Sequence, residues 1–123
     1  MLAVTRYRVD PGEASSFLEQ ARAALAVLAE RPGWRGGHVG RATDDPTLWI
    51  LTSEWDGVGS YRRALSAYEV TVTAGPLLSR ALDEPTAFEL LTGVDGHGSA
   101  VAADAAEVGI GEAAAPVVPT DLD

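Results

Sequence analysis

The side chains able to do chemistry in this 123-residue chain concentrate between positions 49 and 68. In TLWILTSEW (47–55), Trp49, Leu51, Ser53 and Trp55 occupy alternate positions, so on an extended strand they share one face. An indole N–H donates a hydrogen bond and accepts none, so Trp55 could donate to a substrate oxygen. Two phenols follow, Tyr61 and Tyr68, each able to donate to an oxygen or accept from one. Together these residues describe an apolar, aromatic pocket with a few polar points. His38 carries an imidazole, a side chain able to take up or give a proton, which makes it a candidate base or substrate contact.

What the chain lacks narrows the chemistry further. It has no cysteine, which removes disulfides, thiolate metal sites, iron–sulfur clusters and thiol nucleophiles. It has no lysine, which removes Schiff-base chemistry and lysine-dependent phosphate loops. With two histidines, His38 and His97, a histidine metal cage has little to build from, and no metal site is expected. The net charge of −9 argues against nucleic acid as a partner, because phosphate binding needs a basic surface. No apolar run approaches the ~18–20 residues of a membrane span. The N-terminal MLAVTRYRVDPG has no basic segment followed by a long apolar run. A cytoplasmic protein without membrane contact is the expectation.

These residues need elements to position them. LAVTRYRV (2–9) is rich in β-branched and aromatic residues and reads as a strand. Asp10-Pro11-Gly12-Glu13 reads as a helix start with Asp10 as cap. Phe17, Leu18, Ala21, Ala24, Leu25 and Leu28 then recur on one face of a helix over 11–30. Residues 34–43 read as a glycine-weakened strand, and 47–55 as the clearest strand in the chain. Asp56 is placed as the cap of a second helix carrying Tyr61, Leu65 and Tyr68 on one face. YEVTVT (68–73) has the local pattern of a strand, PLLSRAL (76–82) of a helical turn or two, and TAFELL (86–91) of a final strand.

The order is β-α-β-β-α-β, an α+β ferredoxin-like arrangement. Its helices cover one sheet face, and the other would leave Trp49, Ile50 or their strand neighbours in water. A homodimer with the sheets packed face to face removes that patch. Residues 1–92 hold nine arginines and twelve acidic residues, whereas 93–123 hold six acidic residues, no basic one and no aromatic one. The first segment is read as the folded domain. The second is read as a flexible acidic extension that cannot offset its ordering entropy alone.

Glu54-Trp55, followed by a helix start and Tyr61-Arg62 in SEWDGVGSYRRAL, resembles the antibiotic biosynthesis monooxygenase domain. PGWRGGHVG after the first helix resembles the same family's Pro-Gly turn and second strand, and the likeness extends over about residues 2–92. The resemblance implies a dimeric α/β barrel. It also implies oxidation of a phenolic or anthrone-like aromatic by O2 toward a quinone, with no metal, haem or flavin. It places Trp55 and Tyr61 in the pocket, which makes them the catalytic candidates; Leu51, Ser53, Tyr68, His38 and Thr5 are the candidate substrate contacts. Leu51 stands where the family carries an Asn, so one expected polar contact is missing. The family's haem-degrading branch uses an Asn, a Trp and a His at positions matching Thr5, Ala64 and Ala74. None is retained, which argues against haem degradation. A non-oxidative cyclase or isomerase on the same barrel, and a non-catalytic small-molecule-binding accessory protein, are the alternatives.

Overall fold

A computed structural model describes residues 1–97 and 100–102. Strands β1 (Leu2–Arg8), β2 (Trp34–Arg41), β3 (Leu48–Trp55) and β4 (Ala87–Phe88) form one sheet in the order β2-β3-β1-β4. Every pairing in it is antiparallel. Between β1 and β2 the chain makes a short 3₁₀ turn (Pro11–Glu13) and then helix α1 (Ala14–Ala29). Between β3 and β4 it makes three shorter helices, α2 (Val58–Ser66), α3 (Tyr68–Thr73) and α4 (Gly75–Leu78). The fold is thus the ferredoxin-like α+β arrangement, with its second helix broken into three pieces.

All helices lie on one face of the sheet, and the core sits between the two layers. Alternation along β3 is complete: Trp49, Leu51, Ser53 and Trp55 are buried, while the residues between them are half-exposed. Their β1 partners Tyr7, Thr5 and Ala3 are buried with them. Phe17, Ala21, Ala24 and Leu28 supply the inward stripe of α1. Trp49 therefore faces the helices rather than water. Its ring packs edge-on against Phe17 at 5.3 Å, and its N–H donates to the Pro46 carbonyl at 3.1 Å. The face away from the helices carries Ile50, opposite Arg6, and Thr52, opposite Val4 and His38.

Several local expectations give way to tertiary packing. YEVTVT is helical because Val70, Ala74 and Leu77 recur at helical spacing and all three are buried. Strand alternation would have sent Val70 and Val72 to the same side, yet Val72 is exposed. Neither Asp10 nor Asp56 caps through its side chain: Asp10 offers its carbonyl to the Glu13 N–H, and Gly57 is the N-cap of α2. The final strand shrinks to two exposed residues against the start of β1. Across the boundary read at residue 92, β5 (Thr92–Val94) pairs with β6 (Ala100–Ala102). Residues 98–99 and 103–123 of the segment read as a flexible extension lie outside the described residues.

Candidate active site

Small side chains beside Ser53 make room under the helices. Ser53 pairs with Ala3 on one side and Gly37 on the other. A methyl group on Gly37 would come within 2.5 Å of the Trp34 ring, so only glycine lets that indole lie across β2. What remains is a small, partly open cavity of about 10 Å³, room for a single water-sized group. Ala3, Thr5, Leu51 and Ser53 line it from the sheet, and Leu28, Tyr61, Leu65 and Leu78 from the helices.

Four residues expected at the site meet at this cavity: Thr5, Leu51, Ser53 and Tyr61. Trp55 stands directly behind them. Its ring is completely buried, edge-on to Trp34 at 5.4 Å and tilted against Tyr61 at 5.9 Å. Its indole N–H is already engaged, donating to the Ser53 hydroxyl oxygen at 2.9 Å. The expected direct donation from Trp55 to a substrate is replaced by donation to its strand neighbour. The other two expected residues stand apart. Tyr68 is 79% exposed, because Ala67 leaves helical geometry at ψ 140° and breaks the register that would have carried Tyr61 and Leu65 on to it. His38 is exposed and pairs with Thr52, whose neighbours in β3, Leu51 and Ser53, point into the core.

Tyr7, which sequence reading does not single out, adjoins the site through Thr5. Its hydroxyl lies 2.8 Å from that of Thr5, and the Thr5 hydroxyl reaches the Leu51 carbonyl at 3.3 Å. Tyr7 has no other acceptor among the described residues, so the consistent direction is Tyr7 O–H to Thr5, and Thr5 O–H to Leu51. Alternation two residues beyond Thr5 was the available signal. Burial raises the Tyr7 phenol above the usual tyrosine range, against the lowering effects of Thr5 and then Arg80. Burial also raises the Tyr61 phenol, and the neighbouring Tyr7 adds to it. Both keep their protons at neutral pH. No carboxylate or imidazole lines the cavity, and among the described residues no three His, Asp or Glu side chains gather where a metal could bind. The arrangement offers the hydroxyl-bearing side chains of Thr5, Ser53 and Tyr61 on the wall of a small, otherwise apolar cavity.

The sequence model of the family described as antibiotic biosynthesis monooxygenase matches residues 1–72. Solved structures share the fold. A conserved protein from Methanosarcina mazei Go1 superposes with a TM-score of 0.58 at 21% identity, covering 70% of this chain and 84% of that one. SnoaB, a cofactor-independent oxygenase from Streptomyces nogalater, gives 0.58 at 22% identity, covering 66% and 82%. A protein from Chloroflexus aurantiacus J-10-fl gives 0.58 at 23% identity, covering 77% and 95%. No curated protein sequence matches the chain. No helix among the described residues is long and apolar enough to cross a membrane.

Proposed function

The chain belongs to the antibiotic biosynthesis monooxygenase family, and from that premise we propose that it oxidises a phenolic, anthrone-like ring toward a quinone, using O2 and no cofactor. Ground-state O2 is a triplet and reacts slowly with closed-shell molecules. An electron-rich phenolate or its carbanion form escapes this restriction by passing one electron to O2, giving a radical and superoxide. The two recombine to a peroxide anion on the ring carbon, which takes back the proton released when the substrate ionised and becomes a hydroperoxide. Loss of water from that hydroperoxide leaves the new carbonyl, so one CH2 and one O2 become one C=O and one H2O. The substrate carries the hard step, and the protein supplies shape, desolvation and hydrogen bonds to the ionised oxygen.

The observation that carries this reading is the meeting of Thr5, Ser53 and Tyr61 at one small cavity, with Trp55 buried beside Ser53 and Tyr61. A cavity of about 10 Å³ receives one substrate oxygen but not a ring. The ring therefore takes the space of Leu65 and Leu78, which close the cavity from the helix side. His38 and Tyr68 have no part in this reading, and its working form is a homodimer.

Oxygen uptake with a panel of anthrones and dihydroquinones tests it. Uptake matched by quinone absorbance, and slowed at least tenfold in Tyr61→Phe, is expected. No turnover across the panel, or a Tyr61→Phe variant equal to the parent, overturns it. Leu51 favours a second reading, a non-oxidative cyclase or isomerase, because an alkyl side chain stands where the family resemblance implies an Asn. Turnover that persists under argon is its signature, and tight binding without conversion marks an accessory protein.

A further inference from the structure

Two hydroxyls on the cavity wall hold protons that no protein group accepts. The Ser53 oxygen accepts the Trp55 N–H, and that is the one hydrogen bond of the Ser53 side chain among the described residues. Its own O–H is left over, on a side chain 2% exposed. The Tyr61 hydroxyl has no hydrogen-bond partner among the described residues, and both residues line the same cavity. Thr5 differs. Tyr7 donates to it and it donates to the Leu51 carbonyl, so it presents only a lone pair. Buried donors normally find acceptors. The Ser53 O–H, buried and without one, asks for an acceptor from outside the chain, and the Tyr61 hydroxyl, which keeps contact with solvent on the wall of the same cavity, is free to donate to that acceptor too.

We propose that Ser53 and Tyr61 form a two-donor cradle for an acceptor oxygen of the ligand, a ketone or phenolate oxygen, and that Trp55 is a positioning residue acting through Ser53. This rests on the function proposed above for the ligand's class, and it deepens that reading. Donation from the indole uses the Ser53 lone pair on the Trp55 side and turns the hydroxyl proton toward the cavity. Hydrogen bonds in such a chain polarise one another, so the Ser53 O–H becomes a better donor to an anionic oxygen. Burial keeps Tyr61 protonated and able to donate. Ser53 thereby supplies the polar contact that Leu51, two residues earlier on the same face, cannot.

The test uses 4-nitrophenol, whose ionisation is read from its absorbance, titrated with the full chain under argon. Bound to the native protein, its ionisation midpoint is expected to fall by about one pH unit relative to free probe, because two donors favour the phenolate. Ser53→Ala loses most of that shift, Ser53→Thr retains it, and Trp55→Phe loses part of it while still folded by thermal melt. If Trp55→Phe does not fold, the Trp55 indole N–H proton resonance serves instead: it moves on probe binding in the native protein and not in Ser53→Ala. No binding of the probe, a native shift in Ser53→Ala, or a folded Trp55→Phe with an unchanged shift overturns the proposal. A present shift without oxygen uptake on the anthrone panel sinks the monooxygenase reading alone. Uptake without the shift sinks the cradle alone.

Discussion

Tyr7 and Tyr61 put two neutral phenols inside the protein, and this makes stability depend on alkaline pH. Both phenols are raised, by burial first. In the unfolded chain they ionise near pH ~10. Below that pH both states are protonated and the stability of burying them is fully present. Above it the unfolded chain binds fewer protons than the native one, so stability falls until the raised native values are passed. Urea midpoints followed from pH 8 to 11 are expected to drop steeply above about 10, and Tyr7→Phe and Tyr61→Phe are each expected to flatten that drop. A parallel drop in both variants would contradict it. At this scale the sequence is a partial guide. Alternation correctly placed Trp49, Leu51, Ser53 and Trp55 on one face, because backbone pleating fixes direction. It does not fix side-chain torsions, which turn the Trp55 N–H back onto Ser53 instead of into the cavity. Spacing likewise overstated Tyr68, whose place depends on a backbone break at Ala67.

The helical segment after β3 controls how large the cavity can become. α2, α3 and α4 are short, separated at Ala67 and Ala74, and held by a few inward residues: Ala64, Val70, Ala74 and Leu77. Gly33, at φ 92°, seats the start of the segment, since a side chain there would collide with Ser60 in α2. Leu78 is half-buried at the end of α4 and forms one wall of the cavity. Truncating it widens the chamber without removing a hydroxyl. Leu78→Ala is expected to cost about 1–3 kcal/mol, below the full range for a completely buried leucine. It is also expected to bind phenol at least tenfold more tightly than the parent, read by calorimetric titration. Loss of stability with no gain in phenol affinity would show that the ring enters elsewhere. The three-part helix was illegible locally, because YEVTVT carries β-branched residues that favour a strand. Burial of Val70, Ala74 and Leu77 against α1 and the sheet overrides that preference, and it depends on residues dozens of positions away.

Among the described residues, one sheet face has a layer of helices and the other has none, and the whole molecule must answer for that asymmetry. Leu2, Val4, Leu48 and Ile50 lie on the open face, at the centre of the sheet on β1 and β3, and each is only half-covered within the single chain. The β-α-β-β-α-β order was readable because hydrophobic period and turn residues are local signals. What covers the open face is not local. The alternation that buries Trp49 also brings Ile50 to the open side, so the expectation of an uncovered patch survives with one of its two named residues. Ile50 pairs with Arg6 on one strand and Gly40 on the other, so its side chain has one bulky neighbour and stands clear. Ile50→Glu separates the two possibilities. On a solvated face a carboxylate there changes stability by about 0.5 kcal/mol or less. In the centre of a two-fold interface the same carboxylate would meet its own copy in an apolar setting, which costs several kcal/mol as an order of magnitude. Sedimentation at micromolar concentration is expected to give a dimer for the parent and a folded monomer for Ile50→Glu. A monomeric parent, or a variant that stays dimeric, would mean that this face is covered by something other than a second copy of the sheet.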